Sequence, residues 1–220
     1  MNSLNLQQVY KNRFDKQTER KNAIWKILCK NFFQKFIDKN SVVCDIAAGY
    51  CEFINNIECK TKIAFDLNPD LLLHAAPNVK AVKDSFFNMD KYLDCKADVI
   101  FASNVLEHLD NKESVVDAIR LCKENLTEKG NLIILQPNIK LTGGAYWDFI
   151  DHKVALTDLS LEEAAKICGL RLNCKIVRFL PYTTQSKIPQ HPALVWLYLK
   201  IPLAWRFLGQ QSFLVFEKIS

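Results

Sequence analysis

The sequence predicts an α/β fold in which a parallel sheet is covered by helices on both faces, a doubly wound arrangement. Two observations lead to this class. Short apolar runs rich in Val, Ile, Leu and Phe alternate with stretches whose apolar residues recur at helical spacing. About 10 to 25 residues separate successive runs, enough for a crossover helix between parallel strands. This alternation favours a sheet buried on both faces.

The elements follow one another in a consistent order. Apolar residues between 23 and 37 lie on one stripe, which predicts an amphipathic helix ahead of the sheet. Five strands and a helix over residues 112–126 come next, followed by a loop with glycines and aromatic residues. The last predicted helix begins with a capping box, Ser160 and Glu163, and ends at Gly169. Two strands complete the fold, and the seven predicted strands are SVVCDIA, KIAFDL, VKAVKD, ADVIFAS, NLIILQ, LRLNCKIVRFL and SFLVFEKIS.

Length and composition predict a single globular domain. The chain has 220 residues, of which 49% are apolar and 24% charged. We expect one domain over residues 1–220, with an N-terminal helical extension over 1–40 and an apolar, basic insert over 181–211 between the last two strands. The polar N-terminus lacks the apolar run of a signal peptide, so the expected location is cytoplasmic.

Cysteine spacing and charge exclude several kinds of function. The eight cysteines are scattered and form no C-x-x-C pair, so neither a disulfide framework nor a metal site is predicted. Residues 1–40 carry nine Lys or Arg against three acids, residues 41–170 thirteen against twenty, and residues 171–220 seven against one. Nucleic-acid binding favours a basic functional face, whereas the segment that carries the motifs here is acidic. We therefore expect no nucleic-acid partner.

Polar residues stand where four predicted strands end. They are Asp45, Asp66, Asp84 and Asn104, and their spacings of 21, 18 and 20 residues match one strand and one helix each. Ligands of open α/β sheets bind at the carboxyl ends of the strands. Asp66, 17 residues past Gly49, is placed to accept the ribose hydroxyls of an adenosine.

The turn after the first strand indicates which kind of cofactor fits. It reads VVCDIAAGYCEF and has one glycine, Gly49, where dinucleotide-binding turns have two or three. The carboxylates of Asp45 and Glu52 beside the turn would oppose a pyrophosphate. The sulfonium and ammonium groups of S-adenosylmethionine would instead be attracted by these acids.

Five segments, in this order and spacing, resemble the successive motifs of class I S-adenosylmethionine-dependent methyltransferases over residues 42–170. They are VVCDIAAGYCEF, IAFDLNPDLL, VKDSFFNMD, ADVIFASNVLEHL and LTEKGNLIILQPN. The resemblance implies a Rossmann-like, mostly parallel seven-stranded sheet with an antiparallel C-terminal edge strand. The segments YWDFIDHKVALTDLSLEEAAKICGL and LPYTTQSKIPQHP are similar to a bacterial branch associated with surface-polysaccharide or glycan biosynthesis.

The resemblance also implies roles for individual residues. Asp45, Ala47 and Gly49 would meet the methionine end of the cofactor, whereas Asp66, with Leu67, would meet the ribose. The adenine would contact Asp84, Ser85 and Phe86, and Asn104 would lie under the transferred methyl group. The family pattern favours glycine at positions 47 and 51, where this chain has Ala47 and Cys51. If position 47 needs a positive φ, the alanine costs on the order of 1 kcal/mol.

Methyl transfer to a hydroxyl group also needs a base, and the candidates come from two segments. His108 follows the fourth strand, whereas Asp148, Asp151 and His152 lie in the loop expected to cover the acceptor. A packing or capping role is the alternative for His108, and a loop-anchoring hydrogen bond for His152. Tyr146 and Trp147 are candidate platforms for stacking a sugar.

The predicted function is methyl transfer from S-adenosylmethionine to a small-molecule or glycan acceptor, with a hydroxyl group favoured. The alternative is a non-catalytic binding or partner protein that keeps the fold, because the turn is poor in glycine. A short-chain dehydrogenase is disfavoured, since the Y-x-x-x-K pattern of Tyr92 and Lys96 occurs too early in the chain.

The insert 181–211 has three interpretations. Its aromatic and basic residues could rest on a membrane surface, which would make the protein membrane-peripheral. A core segment or a homodimer contact are the alternatives. The insert is too short and too charged to span a bilayer.

Overall fold

The computed structural model describes residues 18–182 and 191–219, and within them the seven strands belong to one sheet. The order of the strands is β3-β2-β1-β4-β5-β7-β6. All are parallel except β7, which pairs antiparallel with β5 on one side and with the edge strand β6 on the other. The predicted Rossmann-like, mostly parallel sheet with an antiparallel C-terminal strand is confirmed, but that strand lies one place inside the edge, because β6 pairs with its outer side. The strands are β1 Val42–Ile46, β2 Thr61–Phe65, β3 Val79–Val82, β4 Ala97–Ser103, β5 Leu126–Pro137, β6 Leu170–Leu180 and β7 Gln211–Lys218.

The described residues form two compact units, the first of which contains residues 18–92 and 191–202. Strands β1, β2 and β3 run parallel in it, with Asp45 opposite Ala64 and Phe65 opposite Val82. The amphipathic helix predicted over residues 23–37 is found at Thr18–Asn31, so it begins five residues and ends six residues earlier than predicted. The helices of this unit are α1 Thr18–Asn31, α2 Glu52–Asn56, α3 Leu71–His74 and α7 Pro192–Lys200, and 3-10 turns occupy Phe33–Phe36 and Phe86–Lys91.

Aromatic packing fixes α1 to the rest of the first unit. Trp25 stacks on Phe33 with ring centroids 5.8 Å apart and meets Phe53 edge-on at 6.4 Å. Phe33 and Phe53 are buried, so the apolar stripe of α1 covers the helix that follows β1. The same helix α1 also contacts α7. Burial of such aromatic side chains is the main stabilising contribution of a helix of this kind.

The second unit contains residues 93–182 and 203–219. Its sheet core consists of the apolar residues of β4, β5 and β7, most of which are fully buried. Asn138, at the end of β5, is itself buried and donates hydrogen bonds to Asp158 at 2.8 Å and to Ser212 at 3.0 Å. This side chain therefore connects the end of β5 to the helix that begins at Asp158 and to β7. The helices are α4 Lys112–Asn125, α5 Ile139–Thr142, α6 Asp158–Ile167 and α8 Pro202–Leu208, and 3-10 turns occupy Leu106–His108 and Gly143–Asp148.

The start of α6 differs from the prediction. The capping box is formed by Thr157 and Ser160: the Ser160 N–H donates to Thr157 Oγ1 at 3.1 Å, and the Thr157 N–H donates to Ser160 Oγ at 2.9 Å. Ser160 is thus the third residue of the helix and not its cap, and Glu163 is exposed. The helix ends as predicted, with Gly169 at a φ of 74°.

The helices of the insert expose most of their apolar residues. No residue of α7 or α8 is buried, so the interpretation of the insert as core is wrong for both helices. A helix that crosses a bilayer needs about 20 apolar residues, and no helix within 18–182 and 191–219 meets that need. The domain limits 1–220, 1–40 and 181–211 stay predictions, because residues 1–17, 183–190 and 220 lie outside the described residues.

Candidate functional site

The turn between β1 and α2 is built from left-handed backbone. Ala47, Gly49 and Cys51 have φ values of 59°, 56° and 62°, so the turn alternates between left-handed and ordinary conformations. Its closing hydrogen bond runs from the Cys51 N–H to the Ala48 carbonyl at 2.8 Å. A left-handed conformation costs an L-residue roughly 1–2 kcal/mol. The turn therefore has the backbone shape of a glycine-rich turn, and Ala47 and Cys51 are strained in it.

Asp66 closes this turn from the neighbouring strand. Its Oδ2 accepts the Gly49 N–H at 2.7 Å, and its Oδ1 accepts the Asn68 N–H at 2.7 Å. Turns of this backbone shape present N–H groups that commonly cradle an anion. Here the protein's own carboxylate accepts one of them, which leaves this part of the turn less suited to a pyrophosphate.

Three carboxylates are buried around the turn, namely Asp45, Glu52 and Asp66. Burial raises the pKa of Asp45 well above its usual range, and the charges of Glu52 and Asp66 raise it further. Burial also raises the pKa of Asp66, although the backbone N–H groups of Asn68 and Gly49 partly offset this effect. Lys21 forms an ion pair with Glu52 at 2.8 Å. This region holds more acidic than basic groups, which is costly unless a cation binds there.

The Cys51 thiol is not a reactive group in this arrangement. Its side chain is fully buried. Burial raises the pKa of the thiol well above its usual range, and Asp45 raises it further. A thiolate is the nucleophilic form of cysteine, so we assign Cys51 a packing role.

The predicted adenine contacts lie at the end of β3. Asp84 Oδ1 accepts the Ser85 N–H at 2.7 Å, and its Oδ2 accepts the Tyr92 hydroxyl at 2.8 Å. These bonds hold the pKa of Asp84 below its usual range. Phe86 is buried and stacks on the ring of Phe87 at 4.5 Å. Asp84 therefore orders the loop after β3.

The ends of β2 and β3 are neighbours in the first unit. The Asp66 N–H donates to the Val82 carbonyl at 3.2 Å, and the Asp84 N–H donates to the same carbonyl at 3.0 Å. Leu67, which follows Asp66, has half of its surface exposed. The structure thus places Asp45, Gly49 and Asp66 around one turn and the residues from Asp84 onward at the adjacent strand end.

Asn104 belongs to the second unit, directly after β4. Its φ of 51° is left-handed, and its N–H donates to the Leu135 carbonyl at 3.0 Å. Asparagine adopts this conformation more readily than most residues. The exposed side chain is therefore presented at the carboxyl end of the strand by a backbone shape that favours this residue type.

Three of the predicted catalytic residues lie together in the second unit. His108 Nδ1 is 3.0 Å from the Asp151 carbonyl oxygen and 3.5 Å from Asp151 Oδ2. The rings of His108 and His152 have centroids 4.9 Å apart. Since a carbonyl oxygen can only accept, His108 Nδ1 carries a hydrogen and donates it to Asp151. Asp148, the other candidate base, is exposed.

Glu107 belongs to the same cluster, although the sequence did not predict it as a functional residue. Only 1% of its surface is exposed, and neither carboxylate oxygen makes a hydrogen bond of normal geometry. Burial raises the pKa of Glu107, while His108 and the nearby Gln136 amide lower it. The sequence offered one indication that Glu107 is buried, since it lies in the segment VLEHL, in which three of the five residues are apolar.

The loop that carries His152 is packed against aromatic rings. His152 stacks on Phe149 at 5.1 Å and meets Tyr146 edge-on at 4.8 Å. Tyr146 is fully buried and its hydroxyl donates to the Val154 carbonyl at 2.6 Å, so the interpretation of Tyr146 as a sugar-stacking platform is wrong. Trp147 has half of its surface exposed, as a stacking platform requires.

The structure is similar to solved structures of one fold. No protein family model matches the sequence, and no curated protein matches it. A SAM-dependent methyltransferase from Archaeoglobus fulgidus is 18% identical, with a TM-score of 0.67 over 90% of this chain and 94% of that one. The N-methyltransferase NodS from Bradyrhizobium japonicum, in complex with S-adenosyl-L-homocysteine, is 12% identical, with a TM-score of 0.59 over 92% and 87%.

A third similar structure carries a different activity in its name. The [4+2]-cyclase SpnF is 14% identical, with a TM-score of 0.60 over 89% of this chain and 80% of that one. Likeness at these identities shows the fold alone. The chain therefore has the class I methyltransferase fold.

Proposed function

We propose that this chain transfers a methyl group from S-adenosylmethionine to a hydroxyl group of a small-molecule or glycan acceptor. The observation that carries the proposal is the group of buried carboxylates around the left-handed turn, Asp45, Glu52 and Asp66. Lys21 pairs with Glu52, so a sulfonium and an ammonium group would balance the remaining carboxylates, whereas a pyrophosphate would add to the negative charge. The residues present therefore fit S-adenosylmethionine better than a dinucleotide.

The residues of the turn have separate roles in this proposal. Asp45, with Ala47 and Gly49, holds the methionine end, and Asp66 with Leu67 holds the ribose. Asp66 can do so while it closes the turn, because each carboxylate oxygen accepts more than one hydrogen bond. The loop from Asp84 through Ser85 and Phe86 supports the adenine.

When bound, S-adenosylmethionine supplies a methyl carbon activated by the sulfonium. The protein then aligns the acceptor oxygen with that carbon and removes the hydroxyl proton. We assign Asn104 to the methyl region. His152, His108 and Asp151 are the candidate bases, since the His108 and His152 rings are neighbours and His108 is oriented by Asp151.

Calorimetric titration of the protein with S-adenosylmethionine, S-adenosyl-L-homocysteine and NAD⁺ tests the cofactor. We expect saturable binding of the first two and none of the third. Folded protein that binds no S-adenosylmethionine up to millimolar concentration would contradict the proposal and favour the alternative, a non-catalytic binding or partner protein. That alternative is supported by the strain at Ala47 and Cys51 and by the cyclase of similar fold.

The acceptor class can be tested by a labelled-methyl screen. Glycan intermediates, free sugars and small phenols would each be incubated with protein and labelled cofactor. The exposed Trp147 favours a sugar, because an indole ring stacks on the apolar face of a pyranose. Transfer to phenols alone would contradict a glycan acceptor while leaving methyl transfer intact.

We also propose that the protein is cytoplasmic and contacts a membrane surface peripherally through residues 181–211. The support for this contact is the exposed apolar residues of α7 and α8. In α7 these are Leu194, Trp196 and Leu197, and in α8 they are Leu203, Phe207 and Leu208. A homodimer contact is the alternative. Co-sedimentation with anionic vesicles, set beside the mass of the protein in solution, distinguishes the two.

A further inference from the structure

The cluster formed by Glu107, His108 and His152 is held together by main-chain bonds. Glu107 and His108 lie in the 3-10 turn after β4, and His152 lies 45 residues after Glu107 in the sequence. The Glu107 carbonyl accepts the N–H groups of Lys153 at 2.8 Å and Val154 at 3.1 Å. One ligand atom from each of the three side chains lies within 4.8 Å of the others. The backbone therefore fixes the two segments side by side.

The orientation of His108 leaves its second nitrogen facing the carboxylate. Because Nδ1 donates to the Asp151 carbonyl, Nε2 of the neutral imidazole carries a lone pair, and it lies 4.0 Å from Glu107 Oε1. A histidine that binds a metal ion usually donates its other N–H to a carbonyl or a carboxylate in this way. Asp151 supplies both acceptors. The ring of His152 is held in turn by Phe149 and Tyr146.

Glu107 supplies the second, independent observation. Its carboxylate is almost completely buried, and neither oxygen makes a hydrogen bond of normal geometry, although the Gln136 amide and the Glu107 N–H lie near enough to lower its pKa. The Gln136 amide, 1% exposed, likewise makes no hydrogen bond of normal geometry, although it lies near enough to Glu107 and Tyr146 to lower the pKa of both. A buried carboxylate without well-formed hydrogen bonds is unfavourable unless a proton or a cation compensates it. A neutral His108 directs its lone pair at Glu107 and adds to this need, whereas a protonated His108 would pair with the carboxylate.

We propose that Glu107, His108 and His152 bind a divalent first-row transition metal ion, with Zn²⁺ as the ion that their donors suit. Two imidazole nitrogens and one carboxylate form a known set of ligands for such ions, whereas Mg²⁺ and Ca²⁺ prefer oxygen ligands throughout. Ligand atoms around tetrahedral zinc lie about 3.3 Å apart. Donor atoms that lie up to 4.8 Å apart would have to approach one another by at most about 1.5 Å to reach that distance. This proposal departs from the expectation, drawn from cysteine spacing, that the chain has no metal site.

Three protein ligands leave at least one coordination position open, as in catalytic zinc sites. An acceptor hydroxyl bound at that position would lose its proton more readily, and the proton would pass to Asp151 or to solvent, since the metal ion would occupy the lone pairs of His108 and His152. This role rests on the proposed function, whereas binding of the metal ion does not.

Cobalt provides the sharpest probe, because its visible spectrum reports the kind of ligand. The full-length protein would be stripped with a chelator and titrated with Co²⁺, followed by Zn²⁺ in competition. We expect one Co²⁺ per chain, a spectrum of nitrogen and oxygen ligands, and displacement by Zn²⁺. The eight free cysteines make this distinction necessary, since a thiolate ligand would give an intense charge-transfer band.

Two variants and a matched control connect the binding to the cluster. Glu107→Gln and His152→Asn should each weaken Co²⁺ binding by roughly tenfold or more. His191→Asn removes an exposed imidazole elsewhere and keeps an acceptor for the Ala193 N–H, so it should bind as the wild type does. Glu107→Gln should fold, because it removes a buried charge while keeping the volume, and circular dichroism checks this for each variant.

Three results would overturn the proposal: no Co²⁺ or Zn²⁺ binding, a thiolate spectrum, or affinity that Glu107→Gln and His152→Asn leave unchanged. The first would mean that a proton, on Glu107 itself or on His108 Nε2, compensates the carboxylate. S-adenosylmethionine binding, measured separately on the stripped protein, reports on the proposed function. Failure of the metal site and failure of the cofactor site are therefore distinguishable.

Discussion

Ala47 adopts a backbone conformation that its side chain opposes. Its φ of 59° is suited to glycine, and the neighbouring Ala48 is not left-handed. The sequence indicated the turn, but the strain depended on whether position 47 truly needs a positive φ. The hydrogen bonds of Ala48 to the Phe65 carbonyl and of Gly49 to Asp66 impose that conformation from outside the turn. Tertiary contacts of this kind cannot be deduced from local sequence.

Replacing Ala47 with glycine should stabilise the protein. We expect the free energy of unfolding to rise by about 0.5 to 1 kcal/mol, because relief of left-handed strain exceeds the entropy cost of glycine in the unfolded chain. Urea denaturation should show a higher midpoint with an unchanged slope. Ala48→Gly is the matched control and should be destabilising, since that residue is buried and has no strain to relieve. Equal effects at both positions would contradict the strain argument.

The limits of α6 show which helix features local sequence determines. The C-terminus at Gly169 followed from the sequence, because glycine has no strong competitor at a left-handed position. The N-terminus did not, because both Thr157 and Ser160 can cap a helix. Asp158 and Leu161 are buried, so packing of the first turn against the sheet favours the earlier start. Tertiary packing therefore decided between two locally acceptable caps.

Substitutions in this turn separate the two assignments. Thr157→Ala should lower the free energy of unfolding by about 1 kcal/mol, because the Ser160 N–H loses its acceptor. Thr157→Ser should keep most of the stability. Glu163→Gln should have almost no effect, since that side chain is exposed and takes no part in the capping box. Denaturant midpoints compare the variants, and a large loss in Glu163→Gln would restore the box predicted from the sequence.

At the scale of the whole molecule, the sequence predicted the positions of the strands well. It predicted less well which residues from distant segments contact one another. Each strand is a short apolar run that is visible in the sequence. The position of Asp45, Asp66 and Asp84 near strand ends therefore follows from the sequence alone. The cluster of Glu107 with His152 depends on main-chain bonds between segments 45 residues apart. Nothing in the spacing of these residues indicates that contact, and the apolar residues beside Glu107 indicate only that its side chain is buried.

The ionisation of Asp45 makes both stability and ligand binding depend on pH. Burial, and the charges of Glu52 and Asp66, raise the pKa of Asp45 in the folded protein. The unfolded chain then loses this proton at lower pH than the folded one. The contribution of Asp45 to stability is therefore fully present below the pKa of the unfolded chain and is lost as pH rises toward the folded value. Binding of a cation has the opposite dependence, because it favours the ionised carboxylate.

S-adenosylmethionine should accordingly bind more tightly as pH rises from acidic to neutral, and its binding should release protons. Calorimetry in buffers of different ionisation enthalpy measures that release directly. S-adenosyl-L-homocysteine lacks the sulfonium, so it should release fewer protons at the same pH. Asp45→Asn keeps the side-chain volume and removes the titrating group; it should stabilise the free protein, weaken the sulfonium cofactor and abolish most of the pH dependence. Proton release unchanged in Asp45→Asn would assign the linkage to another group.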